Sequence, residues 1–149
     1  MYVPLKPSHT NGDIAVYFTK SDVFAFGDVY TTDYPALATP AATIENFVDN
    51  YNQALAMTTP KTIFLPGHGQ LSTRADLIAV RDAISIIHER FLKMVAEGMT
   101  LEQIRAARPS KEFDAKFATE NLSQNDMQTS TRFYEQLYNE VKGHLSAAR

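Results

Sequence analysis

Apolar residues along this chain come first in short unbroken runs and then at the spacing of a helix. Ile14-Ala-Val-Tyr-Phe18 and Val23-Phe-Ala-Phe26 are short β-prone runs joined by the polar Thr19-Lys-Ser-Asp22. That pattern predicts a hairpin with a tight connection. Ile44, Phe47, Val48, Tyr51 and Leu55 then recur at helical spacing, with Asp49, Asn50 and Asn52 as the polar positions between them. An amphipathic helix is expected here, capped by Thr39 with Pro40 in its first turn and covering one face of the sheet. Thr59-Pro60 ends it, and Lys61-Thr-Ile-Phe-Leu65 reads as a strand running into a Pro66-Gly67-His68-Gly69 loop.

Thr73 followed by Asp76 has the form of a capping box at the head of a long helix. Leu77, Val80, Ile84, Ile87, Phe91 and Met94 share one face of that helix until Gly98. Thr100 with Gln103 opens a shorter helix that stops at Pro109, and Ser110 to Thr129 reads as polar and irregular. A last helix from about Ser130 aligns Phe133, Leu137, Val141 and Leu145, flanked by Tyr134 and Tyr138. The order β-β-α-β-α-α-α implies an α/β layer with helices on one main face.

Composition narrows the class. With 149 residues, 44% hydrophobic and 21% charged, the chain has ordinary globular values and the length of one domain. A net charge of −3 without a basic block argues against a nucleic-acid surface. No apolar run approaches the ~20 residues that cross a bilayer, so no membrane contact is expected. Met1-Tyr-Val-Pro has neither the basic nor the apolar region of a signal peptide; the compartment stays open, with cytoplasmic only as the default for this chain and export open for longer relatives. There is no cysteine, so any metal must be held by His, Asp and Glu.

Three segments concentrate such groups: Pro7-Ser8-His9-Thr10-Asn11-Gly12-Asp13, Phe24-Ala-Phe-Gly-Asp28 and Phe64-Leu-Pro-Gly-His68-Gly69. Each places a metal-capable side chain in a loop straight after an apolar or β-prone run. The hairpin alone brings His9, before its first strand, beside Asp28, after its second. Glycines on both sides of His68 let the backbone approach a site closely. A divalent cation such as zinc accepts imidazole nitrogen and carboxylate oxygen. Singly, His9 also reads as a turn residue and Asp28 as a strand-end turn former. Asp13 reads either as a carboxylate orienting a ligand or as the closure of the Thr-Asn-Gly turn. His88 is expected to be a partly buried structural histidine. His144 is expected to complement the dipole of the last helix. Tyr30, Asp33 and Tyr34 read as a substrate lip or, preferably, as a solvent-facing loop.

Together the three segments resemble the second half of a metallo-β-lactamase-fold hydrolase. In that family a histidine in an H-T-x-G-D-like loop ligates the first zinc. An aspartate in a strand-Gly-Asp motif bridges two zincs, and a histidine in a Pro-Gly-His-Gly loop ligates the second. The matching positions are His9, Asp28 and His68, in that order; the likeness runs from about His9 into the helix after Arg74, more loosely to Phe117. The family's H-x-H-x-D-H motif, which lies upstream, cannot be written with the four histidines of this sequence, His9, His68, His88 and His144. The resemblance therefore implies the C-terminal half of an αββα sandwich, with residues 1–108 as the sandwich half and 109–149 as a polar segment and helical extension.

For the complete family the resemblance implies hydrolysis of ester, thioester, lactone or lactam bonds by hydroxide generated at the metals. Asp28 at the bridging position favours the broader hydrolase branches over the commonest zinc β-lactamases, which carry cysteine there. This chain would hold half of the dinuclear site, with zinc as cofactor, and would be inactive alone. It would need the missing N-terminal half or a second copy of itself. The alternative is a non-catalytic half-fold that binds one metal weakly, or a homodimeric assembly module joined through the apolar sheet face that a lone half exposes.

Overall fold

The computed structural model describes residues 1–117 and 126–147. Four strands, β1 (Tyr2–Pro4), β2 (Ile14–Phe18), β3 (Val23–Thr31) and β4 (Ile63–His68), form one sheet in the order β1-β2-β3-β4. β1, β2 and β3 are antiparallel neighbours, and β4 lies parallel to β3. The parallel pair requires a crossover, which α1 (Ile44–Met57) supplies. After β4 come α2 (Arg74–Ala96), α3 (Leu101–Ala107), α4 (Lys111–Phe117) and α5 (Asp126–Ala147).

Alternation sorts the strand residues into two faces. Val3, Ala15, Tyr17, Phe24, Phe26 and Phe64 point into a core shared with Phe47, Tyr51, Leu77, Ile84, Ile87 and Phe91 of α1 and α2. Phe24, Phe26, Phe64, Tyr30 and Tyr51 form a connected aromatic cluster with ring centroids 4.7 to 6.1 Å apart. Burying each such side chain stabilises the fold by roughly 1.5–3 kcal/mol. α1 packs on α2, and α2 on α5, which also meets α3. Phe133, Leu137 and Val141 of α5 thereby join the same core. The opposite sheet face stays open: Tyr2, Ile14, Phe18, Ile63 and Leu65 are all substantially exposed.

Several boundaries differ from the sequence expectation. β1 is an added edge strand, its Tyr2 facing Val16 and Pro4 facing Ile14. β3 does not stop at Phe26 but runs to Thr31, so Asp28 lies within a strand rather than in a loop after it. The extension is possible because Val29 and Tyr30 both turn into the core, at 1% and 0% exposure. Pro66-Gly67-His68 is likewise the end of β4 rather than a free loop.

α1 begins one turn later than Thr39-Pro40 suggested. Ala42 N donates to Thr39 O at 3.0 Å, closing a turn, and Thr43 is the N-cap, accepting from Asn46 N at 3.1 Å. The capping boxes at Thr73 and Thr100 form as expected. The stretch after Pro109 is not wholly irregular: α4 occupies its first part and α5 starts at Asp126, while 118–125 lie outside the described residues. Tyr34 and Tyr30 are core residues rather than members of a solvent-facing loop. Tyr34 stacks on Phe133 with ring centroids 4.8 Å apart and donates to Asp114 Oδ1 at 2.8 Å. Among the described residues, no helix is long and apolar enough to cross a membrane.

Candidate metal centre

The His9 loop is built before it is docked. Leu5 N donates to Asp13 O at 3.1 Å and Ser8 N to Thr10 O at 3.2 Å, folding the segment onto itself. The Asp13 carboxylate accepts from Thr10 N at 2.7 Å, Thr10 Oγ1 at 2.6 Å and Ser8 Oγ at 3.3 Å. Of its two sequence readings, these partners correspond to turn closure. α1 then holds the loop from below with a row of amide side chains. Asn50, fully buried, accepts from Lys6 N at 2.8 Å and donates to Lys6 O at 3.0 Å and Ser8 Oγ at 3.1 Å. Asn46 donates to Pro7 O at 2.7 Å and Gln53 to Pro4 O at 3.5 Å.

Asp28 reaches the same end of the sheet through an irregularity in β3. Gly27 has φ +60°, and the β3–β4 register slips on both sides of it. β4 accommodates this by presenting glycine opposite: a Cβ at Gly67 would lie 2.1 Å from Asp28 Oδ1. Gly69, at φ +103°, passes equally close to Thr32, whose N donates to His68 O at 3.2 Å.

The result is a convergence of the three sequence candidates. His68 Nε2 is 3.4 Å from Asp28 Oδ1, and His9 Nδ1 is 3.9 Å from Asp28 Oδ2. Side-chain exposure rises from 26% at His9 through 45% at Asp28 to 72% at His68, so the group opens to solvent on the His68 side. Each imidazole faces a different carboxylate oxygen. Donors on one cation with bonds near 2.0–2.1 Å at tetrahedral angles stand about 3.4 Å apart. The His68–Asp28 separation has that value, and the His9–Asp28 pair needs only a small closure. One carboxylate with an imidazole on each oxygen suits two adjacent cations with Asp28 between them.

Sequence reasoning missed the amide row, because Asn50 was read as a polar position on a helix. Its signal was spacing: Asn46, Asn50 and Gln53 recur at helical intervals, and Asn50 stands three residues after Phe47 and four before Ala54, on the buried stripe. It also did not foresee the second gathering of titratable groups. Glu45, Glu140 and His144 are the described residues whose three ligand atoms all lie within 4.8 Å of one another.

No family model and no curated protein matches the sequence. Solved structures do match by shape. The stereoselective inverting sec-alkylsulfatase Pisa1 from Pseudomonas sp. superposes with a TM-score of 0.66 at 16% identity, over 93% of this chain and 23% of that one. A double mutant of that enzyme gives 0.66 at 14% identity, over 97% of this chain and 24% of its own. A β-lactamase domain protein from Burkholderia ambifaria gives 0.53 at 17% identity, over 98% and 42%. The chain thus spans less than half the length of each of these three structures. At these identities the likeness concerns fold. The chain has the fold of part of a metallo-β-lactamase-type α/β domain.

Proposed function

We propose that this chain supplies half of the dinuclear metal centre of a metal-dependent hydrolase, with His9 at the first metal position, Asp28 bridging and His68 at the second. One observation carries the reading: two imidazoles from separate elements approach opposite oxygens of a single carboxylate at the sheet end. The donor set of two imidazole nitrogens and a carboxylate suits zinc. When bound, such ions supply Lewis-acid polarisation of the scissile group and acidify a water.

The chain's own residues would perform the positioning. Asn50 and Asn46 hold the His9 loop against α1, Gly27 and Gly67 let Asp28 stand between the imidazoles, and the Thr32–His68 hydrogen bond sets the end of β4. Three ligands leave a dinuclear site incomplete, so hydrolysis would require donors from another polypeptide. The substrate would be an acyl bond: carboxylic ester, thioester, lactone or lactam. Sulfate esters join the panel because two of the structural neighbours are a sec-alkylsulfatase and its variant.

The test is zinc content per chain after purification without chelator, followed by assay against that panel. Zinc that falls with His68→Ala, and any hydrolysis that falls with Asp28→Ala, are the expected outcomes. Zinc content indifferent to both substitutions would sink the reading.

A second reading is favoured by the open apolar sheet face: an assembly module in which two copies cover each other's Tyr2, Ile14, Phe18, Ile63 and Leu65. Zinc uptake without turnover, in a stable dimer, would select it.

A further inference from the structure

α5 carries Glu140 and His144 one turn apart, so both side chains leave the same face of the helix. α1 brings Glu45 to them, giving three ligand atoms within 4.8 Å of one another. α2 brings His88 from the core side, beside the two carboxylates but outside that three-atom group. The His88 side chain is 7% exposed and that of Glu140 is 6% exposed. His88 Nε2 lies 3.4 Å from Glu140 Oε2 and 3.8 Å from Glu45 Oε1. Neither His88 Nε2 nor Glu140 Oε2 has a hydrogen-bond partner, although both are buried.

The two atoms face each other as an ion pair: burial pushes the His88 imidazole down, but Glu140 and Glu45 beside it outweigh that and hold it above its ordinary value. The pair still lacks hydrogen-bond geometry in a place where buried polar atoms normally have it. Glu140 is not loosely placed, since its Oε1 accepts from Ile44 N at 3.2 Å at the start of α1. The 3.4 Å between the orphaned atoms is long for a hydrogen bond between an imidazole and a carboxylate. It equals the separation of about 3.4 Å between two donors on one tetrahedral zinc. Two carboxylates also balance a divalent charge.

We propose that Glu45, His88, Glu140 and His144 form a structural divalent-cation site of zinc type, joining α1, α2 and α5. It shares no residue with His9, Asp28 and His68, and it requires no other polypeptide. His88 and Glu140 are its buried half. Glu45 and His144, both exposed, are its open half, through which the ion enters. The site ties the C-terminal helix to the layer that covers the sheet.

The experiment uses the full chain carrying His9→Ala and His68→Ala, so that the sheet-end group cannot contribute. Zn2+ is measured by equilibrium dialysis with metal analysis, alongside thermal melts with and without Zn2+. The expected result is about one zinc per chain and a Tm raised by roughly 5–10 °C at a hundredfold excess over Kd. Adding His144→Ala should lower affinity at least tenfold and remove the Tm increment. The metal-free Tm should stay where it was, because His144 is exposed. Glu45→Gln serves as a second surface variant with the same expectation. Absence of zinc in the double-alanine background overturns the proposal. So do uptake and a Tm increment that survive both His144→Ala and Glu45→Gln. Zinc binding at the sheet end is read separately, from wild type minus this background.

Discussion

A methyl group at position 67 would lie 2.1 Å from Asp28 Oδ1 and 2.7 Å from its amide nitrogen, so Asp28 occupies its place only because β4 has no side chain there. Gly67→Ala should therefore push β3 and β4 apart here as well as displace the carboxylate, lowering sheet-end zinc affinity tenfold or more and lowering the Tm; equilibrium dialysis reads the first and a thermal melt the second. Asp22 shows the same local determinism with a different device. At φ +55° it turns the β2–β3 connection and accepts from Thr59 Oγ1 at 2.7 Å, Thr62 Oγ1 at 2.5 Å and Tyr17 OH at 2.8 Å. Those hydrogen bonds, from Thr59, Thr62 and Tyr17, hold its carboxyl below the usual range. For Asp114, burial pulls upward, but hydrogen bonds from Ser110, Tyr34 and Arg108 outweigh it and its carboxyl also sits low. A depressed folded-state pKa stabilises above the unfolded value of about 3.9 and stops doing so as pH falls through the folded value. Urea midpoints should thus fall on acidification below about pH 4, and fall less steeply in Asp22→Asn. That His9, Asp28 and His68 would lie near one another was legible in the sequence because imidazole and Gly-flanked carboxylate are rare letters with few uses. Asn50 was not, because a lone amide in a helix reads as a solvated position until the surface it meets is known.

α1 serves two structures at once, and only one was visible in its periodicity. Ile44, Phe47, Tyr51 and Leu55 bury against the sheet, as their spacing predicts. The adjoining row of Asn46, Asn50 and Gln53 holds the backbone of residues 4–8. Asn50→Ala would leave the Lys6 amide and carbonyl and the buried Ser8 hydroxyl without that partner, a loss of about 2–3 kcal/mol. Chemical denaturation should record it, with the zinc affinity of the His9 end falling in parallel. Strand ends were misjudged for a related reason. β3 and β4 continue past their apolar runs because Gly27, Gly67 and the inward-turning Val29 and Tyr30 permit pairing without alternation. Hydrophobic period detects regular strand and is blind to a slip in register.

The molecule as a whole is a two-layer body with a third surface left apolar. Tyr2, Val16, Ala25 and Leu65 form one continuous row across all four strands, and Phe18, Val23 and Ile63 form a second. An exposed apolar sheet face was expected only from the resemblance to half of a sandwich, although Ile14-Ala-Val-Tyr-Phe18, apolar at every position, carries the same pattern. What covers the second side is not encoded in the strand. We expect a dimer in sedimentation at micromolar concentration, and Val16→Glu, in the middle of the first row, should weaken it at least tenfold by placing a charge where water is excluded. A wild-type chain that sediments as a monomer would remove the assembly reading.

The parallel β3–β4 pair has a consequence in time. β2 and β3 are joined by a short turn and can close quickly, whereas β4 meets β3 only after the chain has passed through α1. The β3–β4 contact that sets Asp28 against His68 is therefore expected to form after the hairpin. Contacts formed after the rate-limiting barrier affect the speed of opening rather than of closing. A cation held between Asp28 and His68 is thus expected to lower the unfolding arm of the chevron and leave its refolding arm nearly unmoved. The metal would act as a latch on a finished fold rather than as a template for making one.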